Sequence, residues 1–346
     1  MESQYFTQTK RSASELSSRF SETESAKKRK TSNSCDLGAL LDCSQLLTES
    51  AIMARFDDIA SALLYSHELV VCSDTVEHRF RLLEFEFYLH KPGCHEDPFV
   101  HRTAEQGELG RWYFHRAPGK GTTKYRGGTR KGLDLTFGDA QAYGGVLLRA
   151  AQRVDSSEVV CGPSLLVDKV VSLSGASDLV DLVDNRWAGD TSAFTPGVLY
   201  LRRREDAEGA VSHQLHRTPR VGLDMSSASR GAYVAKLYRY VASFDSPLKS
   251  KAQTFVGAIL HCCPAKDEDD ASSAAPDVAK RLHDPRLSER LATITALSTA
   301  VAGRYLKDYR VGFDKRSIDS FVGMKNVSSS PSSYLPMMGA LHRSRT

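Results

Sequence analysis

The chain has 346 residues, a formal net charge of +4, 41% hydrophobic and 25% charged residues. This is globular composition with length enough to bury a core, and it excludes a mostly disordered chain, a collagen-like repeat and a coiled coil. No stretch approaches about 18 uninterrupted apolar residues, so no membrane span is predicted. Seven cysteines without paired spacing suit neither a disulfide framework nor a zinc knuckle, which favours a reducing compartment.

Residues 1–45 are rich in Ser, Thr, Lys, Arg and Glu and read as a disordered basic tail. The run Lys27, Lys28, Arg29 and Lys30 reads as a nuclear import signal, and so as nuclear localisation. The alternative is a solvated charge run or a nonspecific nucleic-acid contact. From 46 the pattern changes. Ile52, Phe56, Ile59, Ala60, Leu63 and Leu64 recur at helical spacing behind Thr48 as a cap. Phe80 to Leu89, Val146 to Ala150 and Lys236 to Val241 read as strands. Residues 46–263 are taken as one catalytic domain and 264–277 as an acidic loop. Residues 278–323 form an extension in which Leu287, Leu291, Ile294, Val301 and Tyr305 share one face of a C-terminal helix. The Ser/Pro-rich stretch 324–346 reads as a loose tail.

Within the strand Phe80 to Leu89, alternation places Leu83, Phe85, Phe87 and Leu89 on a core face and Glu84, Glu86 and Tyr88 on the other. Two carboxylates at this spacing repel, and partial burial would raise a pKa, giving a candidate general acid or base. The plainer reading is a polar strand face in water. His95, Glu96, Asp97 and His101 fall within seven residues, but their spacing matches no standard zinc signature. The segment 111–131 carries Arg111, Arg116, Lys120, Lys124, Arg126, Arg130 and Lys131 with no acid, interleaved with Trp112, Tyr113, Phe114 and Tyr125. Cations hold phosphates and aromatics stack on bases, so a nucleic-acid surface is expected; the alternative is a basic hairpin.

The order of these blocks resembles the alkyladenine (3-methyladenine) DNA glycosylase family, over about residues 50–245. Glu84-Phe85-Glu86-Phe87-Tyr88 is similar to that family's E-T-E-A-Y strand, and Asp97-Pro98-Phe99-Val100-His101 to its D-x-A-A-H turn. Val146-Leu147-Leu148-Arg149-Ala150, Gly162-Pro163-Ser164-Leu165-Leu166 and Arg220-Val221-Gly222 resemble its later V-L-L-R-A, G-P-S-x-L and R-V-G blocks. The resemblance implies an α+β fold: a single mixed domain around a curved, mainly antiparallel sheet with flanking helices and disordered tails. It implies a monofunctional DNA N-glycosylase acting on alkylated or deaminated purines in double-stranded DNA, without metal or organic cofactor. Glu86 then matches the base that activates water, Arg149 a residue holding that water, and Val221 another through its carbonyl. Tyr88 and His101 match residues lining the flipped base, Tyr113 or His115 a further stacking residue, and Tyr125 the side chain that fills the gap in the duplex. Asp134 falls where the family has an asparagine, and 117–124 looks inserted. A non-catalytic nucleic-acid-binding module of the same fold, or a hydrolase of nucleosides or RNA bases, remains open.

Overall fold

The computed structural model describes residues 36–73, 75–119, 124–207, 214–263 and 278–345. The import-signal run Lys27 to Lys30, the acidic loop 264–277 and Lys120 lie outside the described residues. The fold is mixed α+β around an antiparallel sheet. Along its spine run β4 (Leu109–Phe114), β5 (Leu133–Phe137), β6 (Tyr143–Arg153), β2 (Glu77–Lys91), β1 (His67–Cys72) and β8 (Leu199–Arg203). Short strands join it: β3 (His95–Glu96) and β10 (Arg239–Val241) on β2, β7 (Val159–Cys161) on β6, and β9 (His216–Thr218) on β10. β4 and β8 end the order and do not pair with each other; the segment 191–193 bonds to both, the Thr191 carbonyl accepting from the Trp112 N–H and the Ala193 carbonyl from the Leu201 N–H.

The sheet separates two apolar cores. One holds Phe80, Leu82, Phe85, Phe87 and Leu89 of β2 together with Val146 and Leu148 of β6. Helix Glu49–Ser61 covers it with Ile52, Phe56 and Ile59, and its first turn is capped by Thr48, whose side chain accepts from the Ala51 N–H. Phe56 stacks on Phe87 with ring centroids 4.3 Å apart. One face assignment differs from the strand alternation. The β2–β6 ladder slips between Leu82 and Glu84 and again between Glu84 and Phe85, skipping Leu83 on one strand and Arg149 on the other. Such a bulge reverses which face successive side chains reach. Leu83 therefore packs against the second core, as Tyr88 does, rather than with Phe85.

The second core joins β10 and Ala150 to helix Lys251–Cys262 and to the C-terminal region, so the extension is part of the same domain rather than an appendage. The single C-terminal helix expected there is two, Leu287–Thr295 and Thr299–Lys315. Ala296 turns left-handed at φ 50°, and Ser298 caps the second helix by accepting from the Val301 N–H. The buried face of that second helix is Ala302, Leu306, Tyr309 and Phe313; Tyr305 packs half-buried against the same core, edge-on to Phe255 at 5.4 Å, and Val301 is not part of it. Two segments expected to be loose are ordered. Asp36 caps a helix, Leu37–Leu41, whose Leu37 and Leu41 are buried. Residues 331–343 form a helix that buries Leu335, Met337, Met338 and Leu341. Ser and Pro, read as tail signals, here start that helix: Ser330 is its cap and Pro331 its first residue, where a missing N–H costs nothing.

Candidate functional site

Strand pairing assembles one row of residues across six strands. Tyr113 on β4 faces Asp134 on β5, which faces Leu147 on β6, then Glu86 on β2, Arg239 on β10 and Thr218 on β9. Directly opposed side chains in an antiparallel sheet share a face. The row thus brings Glu86 and Asp134, distant in sequence, to within two strand spacings, about 10 Å.

Glu86 is fully buried. Its Oε1 accepts from the Val221 N–H at 2.7 Å, its Oε2 accepts from the Tyr88 hydroxyl at 2.7 Å, and Arg149 Nε lies 3.4 Å from Oε1. Val221 therefore engages this carboxylate through its N–H; the resemblance had assigned its carbonyl to a water. Neighbouring Glu84 accepts from Arg149 Nε at 2.7 Å and from Arg239 Nε at 2.6 Å. Burial alone would raise the Glu84 carboxyl, but Arg239 and Arg149 outweigh it and hold Glu84 below its ordinary value. For Glu84 this reverses the raised pKa expected from two adjacent carboxylates. Burial would likewise depress Arg149, yet Glu86 and Glu84 hold it above its usual value. Two acids and two arginines thus form a charge-balanced buried group.

A second buried pair supports the first. Arg220 Nη1 lies 2.5 Å from Asp97 Oδ2 and donates to the Phe87 carbonyl at 3.1 Å. Its guanidinium stands over the Tyr88 ring, 4.4 Å from the centroid. Asp97 thereby fixes Arg220, and Arg220 fixes both the Tyr88 ring and the backbone that presents the Val221 N–H. Burial and the charge on Glu86 push the Tyr88 hydroxyl far above its ordinary range, so it stays protonated and donates. His95, raised above as a metal-ligand candidate, is buried with Nδ1 2.8 Å from the Leu89 carbonyl and Nε2 2.7 Å from the Tyr238 hydroxyl. Among the described residues no group of three or more His, Cys, Asp or Glu could hold a metal ion.

Above this network opens a cleft of about 520 Å³. Tyr88, Val221, Leu147, His101, His115 and Asp134 line it, with Gln106 and Arg126 beside them. Glu86 and Arg149 are not in its lining; Glu86 meets the cleft through its two donors, Tyr88 and Val221. Asp134 accepts from His115 Nε2 at 2.8 Å and from Gln106 Nε2 at 3.3 Å. A Cβ on Gly145 would sit 2.7 Å from Asp134 Oδ2, so a larger residue there displaces that carboxylate. A Cβ on Gly132 would meet the His115 ring at 2.5 Å and displace it likewise. The His101 ring stands edge-on to His115, with centroids 4.6 Å apart, and both line the cleft. The surrounding protein and His115 push His101 down to about 4, so its imidazole is neutral at neutral pH. Tyr113 stands behind this wall, its hydroxyl 3.3 Å from His101 Nδ1, and does not line the cleft.

The basic segment is more neutralised than its sequence implies. Arg111 pairs with Asp190 at 3.0 Å, Arg116 with Glu105 at 3.1 Å, and Lys131 with Asp168. Arg126 borders the cleft and Arg130 is exposed; among the described residues no acid lies within ion-pair distance of either. Lys124 is exposed where its carbonyl accepts from the Ala117 N–H, so the segment taken as an insertion begins as a paired hairpin arm. Tyr125 does not project as a wedge. It packs against the first core, with the Arg116 guanidinium 4.1 Å over its ring and Phe114 at its edge.

Four participants escaped the sequence reading: Gln106, Glu84 as the ionic partner of Arg149, Arg220 and Arg239. Arg239, between Tyr238 and Tyr240 in an apolar strand, carried the one usable signal, because a cation placed there needs a buried acid.

No protein-family model matches the chain. The chain is 30% identical over 221 residues to uncharacterized protein L759 of Acanthamoeba polyphaga mimivirus, an alignment covering 58% of this chain and 90% of that protein. The chain belongs to the family of that mimivirus protein. Among the described residues no helix is long and apolar enough to cross a membrane.

Proposed function

We propose that the protein is a DNA glycosylase that hydrolyses the N-glycosidic bond of damaged purines. The observation that carries this reading is Glu86: a buried carboxylate held by the Val221 N–H, the Tyr88 hydroxyl and Arg149, directly behind the Tyr88 and Val221 that line a cleft of about 520 Å³. A carboxylate has about four acceptor positions. The Val221 N–H and the Tyr88 hydroxyl occupy two, with Arg149 beside them at ion-pair distance, which leaves acceptor capacity for a water.

A base inside a duplex is out of reach, so the nucleotide rotates out at a cost of a few kcal/mol, least for a damaged base. The base enters between Tyr88 and the His101–His115 wall. Glu86 takes a proton from water as the water oxygen bonds to the sugar C1′. The C1′–N bond breaks, its electron pair leaves with the base, and the products are the free base and an abasic site in an intact strand. The carboxylate also stabilises the cationic character that develops on the sugar.

The test uses duplex DNA methylated with dimethyl sulfate, with released 3-methyladenine and 7-methylguanine quantified by chromatography. Glu86→Gln keeps the shape and removes the base, so release should fall by about two orders of magnitude or more. Equal release by the two proteins refutes the role of Glu86. A second reading, hydrolysis of free nucleosides, is favoured by the ion pairs that tie up Arg111, Arg116 and Lys131. It requires mononucleosides to be cleaved as well as, or better than, the duplex. Salt-dependent DNA binding with no product from either substrate would indicate a non-catalytic binding module instead.

A further inference from the structure

The cleft holds a second pair of ionisable groups that the role given to Glu86 does not use. His115 and Asp134 both line it, with His115 Nε2 2.8 Å from Asp134 Oδ1. An ionised carboxylate only accepts, so Nε2 carries the proton of this bond. A second proton on the ring then has one place to sit, Nδ1. Among the described residues no group bonds Nδ1, and it is not one of the buried polar atoms, so it is open to a ligand in the cleft. The pair is held in place from several elements. Gln106 Nε2 donates to the other Asp134 oxygen at 3.3 Å. The His115 N–H donates to the Gly132 carbonyl at 3.0 Å, and the His115 carbonyl accepts from the Arg126 N–H at 2.8 Å. Besides Asp134, the charged and titratable groups facing the ring are His101, Tyr113 and Arg126, with Tyr88 and Asp224 elsewhere in the cleft lining and Asp224 paired to Arg230. His101 is neutral at neutral pH, and Asp134 is the anion in contact with the ring.

We propose that His115, positioned by Asp134, is the general acid that protonates an uncharged purine as it leaves. The inference rests on the reading of the cleft as the site of base release and adds the residue that uncharged bases need. When the C1′–N bond breaks, its electron pair moves onto the base. A purine alkylated on a ring nitrogen starts as a cation and leaves neutral, so it needs no acid. Hypoxanthine starts neutral and would leave as an anion. Protonated His115 gives its Nδ1 proton to a nitrogen or oxygen on the base edge facing it. The neutral imidazole keeps its Nε2–H bond to Asp134 and regains a proton from solvent. One proton thus enters at the base while Glu86 removes one from the attacking water. The strand row sets the two groups on opposite sides of the substrate. Asp134 is opposite Leu147 and Leu147 is opposite Glu86, so a purine lying over Leu147 turns its sugar toward Glu86 and its far edge toward His115. Asp134 acts through His115 and is a positioning residue.

The test is single-turnover release by the full-length protein from two duplex oligonucleotides, one carrying a single hypoxanthine and the other a single 7-methylguanine. General acid catalysis contributes about 10²–10⁴-fold. His115→Gln, whose amide can still donate to Asp134, should therefore lower the ratio of hypoxanthine to 7-methylguanine rates by about a hundredfold or more. Asp134→Asn should lower the same ratio, because an amide no longer fixes which ring nitrogen carries the proton. In wild type, hypoxanthine release should lose rate at alkaline pH as His115 gives up its proton, in a limb that 7-methylguanine release lacks. The ratio compares two substrates on one preparation, so a partly unfolded variant lowers both rates and leaves it unchanged. Glu86→Gln should slow both substrates alike. A ratio unchanged in both variants, or a wild type that releases 7-methylguanine and no hypoxanthine, would overturn the acid while leaving Glu86 standing. A ratio that falls in the variants while Glu86→Gln changes neither rate would support the acid and refute Glu86. Release of neither base by wild type would overturn both.

Discussion

The buried ionic group beneath the cleft gives the sharpest quantitative expectation. Glu84 and Glu86 are balanced by Arg149 and Arg239, and Arg239 is fully buried, donating to Glu84 at 2.6 Å, to the Thr218 hydroxyl at 2.8 Å and to the Thr254 hydroxyl at 3.2 Å. Arg239→Met keeps the aliphatic bulk but leaves a net negative charge in the interior, with Arg149 alone serving two carboxylates. Removing one partner of a buried pair costs about 3–5 kcal/mol. With a urea m-value of about 2–3 kcal/mol/M, the unfolding midpoint should drop by about 1–2 M with the slope unchanged. Glu84→Gln should cost a similar amount, because it strands Arg239. The double variant restores neutrality, leaving Arg149 opposite Glu86, so its loss should fall short of the sum of the two single losses by at least about 1 kcal/mol. Strictly additive losses, or a cost for Arg239→Met below about 1 kcal/mol, would show that these four groups do not act as one charge-balanced unit.

Three further expectations concern other parts of the molecule. Burial pushes His342 down to about 4 from 6.5, with Nδ1 2.7 Å from the Tyr309 hydroxyl. The unfolded chain then gains a proton that the folded chain refuses as pH falls below 6.5, so stability drops between 6.5 and about 4, by up to roughly 3 kcal/mol from this group, and is independent of it above pH 7. His342→Gln should flatten that part of the profile in urea unfolding at pH 7 and pH 4.5; an equally steep loss in the variant would count against the assignment. Gly145→Ala should destabilise by about 1–3 kcal/mol through overpacking, and it should displace Asp134 from His115, seen as a lower ratio of hypoxanthine to 7-methylguanine release. For DNA binding, Arg126→Ala and Arg130→Ala should each lower the slope of log affinity against log salt by about one. Arg111→Ala, whose charge is already met by Asp190, should leave the slope nearly unchanged; the reverse pattern would place the DNA surface elsewhere.

Local pattern was legible because it is written in neighbouring residues. The Thr48 cap, the apolar stripe from Ile52 to Ala60 and the alternation that sets Glu86 and Tyr88 opposite Phe85 and Phe87 all follow from periodicities of a few residues. Those same rules failed at Leu83, where a bulge reverses the faces, and at Pro331, where a turn-former opens a buried helix. The basic segment shows a different limit. Its charge could be counted, but Asp190, Glu105 and Asp168, which neutralise it, come from other elements.

What the sequence by itself determined was the local helices and strands and a short roster of reactive side chains, since their periods and chemistry are local properties; the mixed α+β class came from the family resemblance. What only the tertiary structure decided was which of them meet: the row from Tyr113 through Asp134 and Glu86 to Arg239, the Asp97–Arg220 support behind Tyr88, and the pairing of His115 with Asp134. Register across antiparallel strands is set by burial of whole faces and by bulges, and charge balance in the interior is set by groups far apart in the chain. Neither quantity exists until the chain has folded.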